Sequence, residues 1–383
     1  MNYRFTEEEE MFRAAARDWL SQHVRPSSYG SGDTKEGFAK HLVFEKQLFD
    51  AGWAVVSWPR ELGGKDSSLT EWLIFEEEYY DSGAPSRVTQ NGIFLLAPTL
   101  FEHGTKAQQE RILPAMASGD YVWCQGWSEP NAGSDLASLT SIAKRTEKGW
   151  LLTGQKTWCT RGAFCDGMFG LFRTDPAATR HKGLTYFMVD LESEGVTVRP
   201  VERLDGDDGF AEIFLEDVFV SDEDVIGEVN QGWYVAMSTA SSERGLTLRS
   251  PGRFCATVKS LLRLWEEHGN QQNAALRNRV LRCWARAESY RIYTFQTAAR
   301  IQKGEKLGAE SSMNKVFWSE LDLEIHETAL EILGGRAEME GNSLCGRDWM
   351  KGYQFALAGP IYAGTNEIQR NVIAEHVLGL PRG

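Results

Sequence analysis

The hydrophobic pattern of this chain changes period twice, and that double switch limits its fold more than any single motif. From Thr6 the pattern is helical: Thr6 can cap, Glu7 to Glu9 suit the positive end of a helix dipole, and Phe12, Ala16 and Leu20 recur every four residues. Further helices are expected at about 36–51, 70–82 and 106–118, with Gly and Pro punctuation between them. Near Tyr121 the texture turns to short β-rich runs, at Leu151 to Thr153, Met168 to Phe172, Leu184 to Val189, Val196 to Val201 and Ile213 to Val220. After Gly227 helical periodicity returns. Val258, Leu261, Leu262 and Trp265 form one stripe; Met313, Val316, Phe317, Ile325 and Ile332 a second; Ile368, Val372 and Val377 a third. The predicted fold is therefore α+β. It has an all-α domain over 1–120, a small β-barrel or sandwich over 121–227, and a four-helix bundle over 228–383.

A chain of 383 residues is too long for one simple core, which agrees with several packed domains. The formal net charge of −13 argues against nucleic acid or an anionic membrane as the main partner. An anionic ligand needs local arginines or lysines working against that field. Six cysteines are scattered without a Cys-x-x-Cys, the pattern of reduced thiols in a cytoplasmic protein. The N-terminal stretch is charged rather than apolar, and no run approaches a membrane span. The seven histidines show no metal-ligand spacing.

Two segments carry the chemistry. Ser128-Glu129-Pro130-Asn131-Ala132-Gly133-Ser134-Asp135 places two hydroxyls six residues apart in a loop without bulky side chains, so its backbone can approach a flat or anionic ligand. Asn131 tolerates left-handed geometry, which suits a tight turn there. Farther on, Gly154-Gln155-Lys156-Thr157-Trp158-Cys159-Thr160 sets an aromatic ring and a hydroxyl two apart, on one face of a strand. Together they suggest a planar, polar-edged cofactor held between a loop and a strand.

These segments, in order with Trp58-Pro59-Arg60-Glu61-Leu62-Gly63-Gly64, Gly104-Thr105, Gln108, Leu113-Pro114, Gly232-Trp233, Glu243-Arg244, Leu333-Gly334-Gly335 and Ala363-Gly364-Thr365-Asn366-Glu367-Ile368-Gln369-Arg370, make the chain resemble the acyl-CoA dehydrogenase family almost end to end. The resemblance implies a FAD enzyme that oxidises acyl-CoA thioesters and passes electrons to an electron-transfer flavoprotein. Many members carry the catalytic base directly before the Gly-Thr of the closing motif. Here that position is Ala363, which cannot accept a proton. The isovaleryl- and long-chain-type enzymes instead place a glutamate before an arginine on an earlier bundle helix, the position of Glu243-Arg244 here. By resemblance Glu243 is the base, Ala363 contributes its backbone N–H to the thioester oxygen, and Arg244 lies near CoA. Read alone, Glu243 is an ordinary surface glutamate and Arg244 an ion-pair partner.

The resemblance further assigns Ser128 and Thr160 to the flavin ring, Trp158 to packing on it, and Ser134 to the cofactor phosphate and pantetheine. Gly334-Gly335 would receive the pyrophosphate of a FAD held mainly by a neighbouring subunit, and Thr365 and Glu367 its adenine half. Without the family, Trp158 reads as a core aromatic and the glycine pair as a helix C-cap. Relatives carry an Arg…Phe-Gly motif that clamps FAD across a dimer interface; the stretch Asn270 to Asn278 lacks it. Either Arg277 or Arg279 substitutes, in a homodimer or homotetramer, or the clamp comes from a homologous chain in a heterotetramer. Flavin oxidases and amine- or nitro-group monooxygenases share the scaffold, and a FAD-poor partner subunit is the non-enzyme alternative. A hydrolase has little support: Ser-x-x-Lys occurs at Ser141/Lys144 and Ser312/Lys315 without companion motifs.

Overall fold

The computed structural model describes residues 4–243, 250–305, 308–309, 311–339 and 343–381, with the backbone alone at 27 and 241–243. Helices α1 (Glu7–His23), α2 (Lys35–Asp50), α3 (Leu69–Asp81), α4 (Ala97–His103) and α5 (Lys106–Ser118) come first. Thr6 caps α1 reciprocally: Glu9 N donates to Thr6 Oγ1 at 3.2 Å, and Thr6 N donates to the Glu9 carboxylate at 2.8 Å. Ser68 with Glu71, and Thr105 with Gln108, open α3 and α5 in the same way. A single π-helical turn, Gly92–Leu96, precedes α4.

Eight strands follow: β1 (Trp123–Gly126), β2 (Ile142–Arg145), β3 (Gly149–Thr160), β4 (Gly167–Arg173), β5 (Leu184–Asp190), β6 (Val196–Val201), β7 (Phe210–Ser221) and β8 (Val225–Ile226). They form one mixed sheet in the order β6-β7-β3-β2-β4-β5-β8, with β1 added in parallel on β4. Alternation along the strands buries Leu152, Phe172, Phe187, Ile213 and Val218 on one side. The chain then returns to helix with α6 (Gly232–Glu243), α7 (Pro251–His268), α8 (Ala274–Gln302) and α9 (Ser311–Leu333). A small hairpin, β9 (Ser343–Leu344) and β10 (Arg347–Asp348), leads to α10 (Trp349–Ala356) and α11 (Asn366–Val372). The order helical, β, helical is that predicted from periodicity.

Packing groups the chain into two units. The bundle unit (Met1–Pro26, Ser67–Ala84, Arg244–Gly383) joins α1 and α3 to α7–α11. Its core holds Phe254, Leu261, Val280, Trp318, Ile325 and Trp349, and Arg13 of α1 bridges Glu77 and Glu78 of α3 at 3.0 and 2.8 Å. Leu261, Ile325 and Ile332 are buried as their stripes require, whereas Met313 and Val377 are exposed. The third stripe does not mark the buried face: Ile368 and Val372 are only half-buried, α11 buries Asn366 and Gln369 instead, and beyond Val372 the residues Ile373–Val377 form a π turn. The β unit (Ser27–Asp66, Pro85–Glu243) joins the sheet to α2, α4, α5 and α6. No described helix is long and apolar enough to cross a membrane.

Candidate active site

In the β unit the loop after β1 is a closed turn: Glu129 N donates to Ala132 O, and Ala132 N to Glu129 O, each at 3.0 Å. The turn forms as expected, and Asn131 keeps a negative φ within it. The Glu129 side chain turns inward. Its carboxylate accepts from Thr140 N (2.6 Å), Thr140 Oγ1 (2.9 Å), Ser141 N (2.9 Å) and the Lys156 ammonium (2.8 Å). Lys156 is wholly buried, donates also to Leu171 O at 2.8 Å, and lies 4.7 Å from the Phe172 ring centroid. Burial alone raises a carboxyl's pKa; here Lys156 and the surrounding donors outweigh it and hold Glu129 at about 2. Glu129 and Lys156 lie within the two flagged segments, yet sequence reading gave neither a role.

This ion pair sits beneath a surface. Thr157 N donates to Ser128 O at 2.9 Å, which sets Ser128 beside Trp158 and, two residues on, Thr160. Pairing of β3 with β7 is irregular between Lys156 and Cys159, and Trp158 occupies the irregularity with φ 60°. Its indole is 60% exposed and meets the edge of Phe210 at 5.8 Å. A core aromatic is thereby excluded. Arg161, directly after Thr160, locks the strand end through Asp33 Oδ1 (2.6 Å) and Arg87 O (3.3 Å). Ser134 is exposed, and its neighbour Asp135 pairs with Arg180 at 2.9 Å. Arg180 belongs to a loop gathered by the Arg173 guanidinium, which donates to the carbonyls of Ala137, Ala178, Arg180 and Lys182 at 3.1 to 3.2 Å.

Helix α6 also lies in the β unit and is keyed to the sheet by buried hydroxyls. Trp127 Nε1 donates to Tyr186 OH (3.1 Å), which bonds Thr239 Oγ1 (3.3 Å), which in turn bonds Thr99 Oγ1 (2.7 Å). Glu243 is the last residue of α6, one turn after Thr239. Its side chain, and Arg244 entirely, lie outside the described residues.

In the bundle unit Ala363 and Gly364 both adopt left-handed backbone, with φ 57° and 75°. Thr365 caps α11, accepting from Ile368 N at 3.2 Å. Among the described residues nothing accepts from the Ala363 N–H. Glu367 is exposed, and hydrogen bonds from its own backbone N–H and the Thr365 hydroxyl hold its carboxyl below the usual range. Gly334 follows the last residue of α9 with φ 55°, and a Cβ at either Gly334 or Gly335 would meet no atom within 4 Å. Of the two candidate clamps, Arg279 is engaged in an ion pair with Glu331, and Arg277 is exposed. Ser312 and Lys315 form no nucleophile pair: the Lys315 ammonium bonds Asn366 Oδ1 at 2.8 Å.

Family models account for most of the chain. Acyl-CoA dehydrogenase N-terminal, middle and C-terminal domain models match residues 6–120, 124–218 and 230–378. The chain belongs to the acyl-CoA dehydrogenase family. This acyl-CoA dehydrogenase is 35% identical over 391 residues to acyl-CoA dehydrogenase IpdE1 of Mycolicibacterium smegmatis, covering 97% of each chain. It is structurally similar to the Tcur3481-Tcur3483 steroid ACAD, with TM-score 0.88, 27% identity and 100% of both chains covered. It is also similar to a chain of the ChsE4-ChsE5 complex from Mycobacterium tuberculosis, with TM-score 0.86, 28% identity and the same coverage.

Proposed function

We propose that this acyl-CoA dehydrogenase binds FAD and oxidises an acyl-CoA thioester to the trans-2-enoyl-CoA, passing electrons to an electron-transfer flavoprotein. The observation that carries the reading is Trp158. A tryptophan held exposed at a left-handed backbone angle, on a platform with Ser128 and Thr160, suits a flat ligand that covers it. The residues present fit FAD: Ser128, Trp158 and Thr160 would hold the ring. Side-chain-free Gly334 and Gly335 would leave room for the pyrophosphate of a FAD held mainly by a neighbouring subunit, with Thr365 and Glu367 toward its adenine half. When bound, the flavin supplies the acceptor for the β-hydride.

The chain's own groups do the rest. Glu243 takes the α-proton, which requires a desolvated carboxylate because an α-C–H is a poor acid. The Ala363 N–H donates to the thioester oxygen and stabilises the negative charge that gathers there as the proton leaves. Arg180 and Lys182, in the loop joined to the Ser134 loop through Asp135, bring local positive charge for CoA phosphates to an acidic protein. Ser134 and Arg244 complete the CoA side. Moving the base to an earlier helix, and the likeness to a steroid ACAD, support a bulky acyl group. Anaerobic titration with a panel of acyl-CoA thioesters, followed by flavin absorbance, tests the reading. Bleaching by none of them overturns it, and rapid peroxide formation in air assigns an oxidase.

Trp158→Ala keeps the backbone angle and removes the ring. Its FAD is expected to bind about ten- to a hundredfold more weakly, on the order of 1–3 kcal/mol. The apoprotein's thermal midpoint should stay unchanged, because the indole is exposed. Unaltered FAD affinity would show that the ring packs on something else.

The assembly carries a second expectation. With Arg279 paired to Glu331 and no Arg…Phe-Gly motif, exposed Arg277 is the remaining candidate for a cross-subunit FAD clamp, and a homologous chain is the alternative source. Two similar structures, Tcur3481-Tcur3483 and ChsE4-ChsE5, are each named for a pair of components. Expressed alone, the protein is expected to hold less than one FAD per chain and to gain flavin when a homologous chain is co-expressed. A fully loaded homotetramer on native mass spectrometry would remove the need for a partner.

A further inference from the structure

The closing-motif turn is held by four buried polar residues, Lys315, Ser319, Asn366 and Gln369, that the proposed chemistry does not otherwise use. Lys315, on α9, has no solvent exposure, and its ammonium donates to Asn366 Oδ1 at 2.8 Å; Ser319 Oγ donates to the same oxygen at 3.1 Å. Asn366 is thus fixed by its side chain, and its backbone N–H donates back to Pro360 O at 2.8 Å. Gln369, one turn farther along α11, is also fully buried. Its amide nitrogen donates to the carbonyls of Ala363 (2.8 Å) and Gly364 (3.4 Å).

These contacts grip both carbonyls of the left-handed pair and the residue that ends the turn. We propose that Lys315, Asn366 and Gln369 are positioning residues that aim the Ala363 N–H at the thioester oxygen. The inference rests on the function proposed above and adds to it the device that orients the donor. Two costs in the structure argue for it over plain stabilisation. Ala363 stays in a backbone region that disfavours a residue with a Cβ, although glycine would sit there without strain. Gln369 Oε1 is buried with no hydrogen-bond partner among the described residues. A fold tuned for stability alone relieves both. A turn that must present one N–H in one direction retains them.

The logic is geometric. An N–H that polarises a carbonyl must meet the oxygen at hydrogen-bond distance and near-linear angle, and a small misplacement costs rate without costing binding. Gripping the carbonyls of 363 and 364 fixes the peptide planes around the turn, and with them the direction of the N–H. Gln369 acts on the turn directly, and Lys315 acts through Asn366.

Acetoacetyl-CoA tests this, because the bound thioester ionises to an enolate whose apparent pKa reports the donor's strength. In the FAD-loaded wild type that pKa is expected to fall below the free ligand's value. Lys315→Met and Gln369→Met, on different elements, should each raise it by about one unit relative to wild type and cut kcat about tenfold or more. KM and FAD content should stay within about twofold. Should the wild type leave the ligand's pKa unshifted, the function proposed for Ala363 fails. Should it shift the pKa while either Met variant, folded and FAD-loaded, shifts it equally, the positioning role fails and the function stands. Either Met variant is decisive alone.

Discussion

The Glu243→Gln variant is expected to keep its FAD and to lose the bleaching of that flavin by acyl-CoA. Glutamine matches glutamate in size but cannot accept a proton, and proton transfer by a placed base contributes roughly 10²–10⁴-fold, about 3–5 kcal/mol of barrier. The helix that carries position 243 should not move. Thr239, one turn earlier, is tied to Thr99 and through Tyr186 to Trp127, the residue before Ser128. Loss of rate with binding intact therefore reads as loss of the base. Anaerobic stopped-flow reduction separates the two outcomes, since substrate affinity appears in its concentration dependence and proton abstraction in its limiting rate. In the wild type that limiting rate should fall as pH drops through the pKa of the base, because the protonated carboxyl cannot act. The Gln variant should show a low rate with no such fall. Near-normal reduction by Glu243→Gln would place the proton acceptor elsewhere.

The legible part of this protein was its order of elements and the identity of its loops. Thr6 announces α1 because a cap is a local event, written in the residue and its partner Glu9. Long helices announce themselves because their stripes persist for several turns, as Leu261 and Ile325 show. Trp158 was legible as a ligand face from its spacing to Thr160 and from family likeness, though taken alone it read as a core aromatic. Strand periodicity places it outward, but the irregular pairing with β7 that makes it an exposed platform depends on partners far along the chain, at Ala211 and Ile213. Asn131 forms its turn as expected, though by another route. Its type permits a left-handed turn, and the reciprocal Glu129–Ala132 bonds close the loop without one. The supports of the site were illegible for one common reason. Lys156 with Glu129, Lys315 with Asn366, and Thr239 with Thr99 are pairs far apart in sequence. Each member alone looks like a solvated polar residue, and only burial reveals the pairing.

Lys156→Met should be the most destabilising single change in the β unit that touches no ligand. The ammonium and the Glu129 carboxylate are both buried, so removing one leaves the other uncompensated, a loss of about 3–5 kcal/mol. Chemical denaturation of the apoprotein measures it, and Lys156→Met combined with Glu129→Leu should recover part of the loss because no stranded charge remains. The pH dependence gives an independent check. Glu129 is held at about 2 in the folded state, against roughly 4.3 for a free glutamate, so the pair's stabilisation is complete above the unfolded value. It drains away as pH falls from about 5 toward 2. Without Lys156 the carboxyl's pKa rises and the group can protonate in place, so the gap between wild type and Lys156→Met should narrow steadily across that window. The FAD site should weaken as well, because Thr157, next in the strand, holds Ser128 through its backbone N–H. A Lys156→Met protein with an unchanged denaturation midpoint at neutral pH would mean that the carboxylate finds other donors, and that the platform under Trp158 does not depend on the pair.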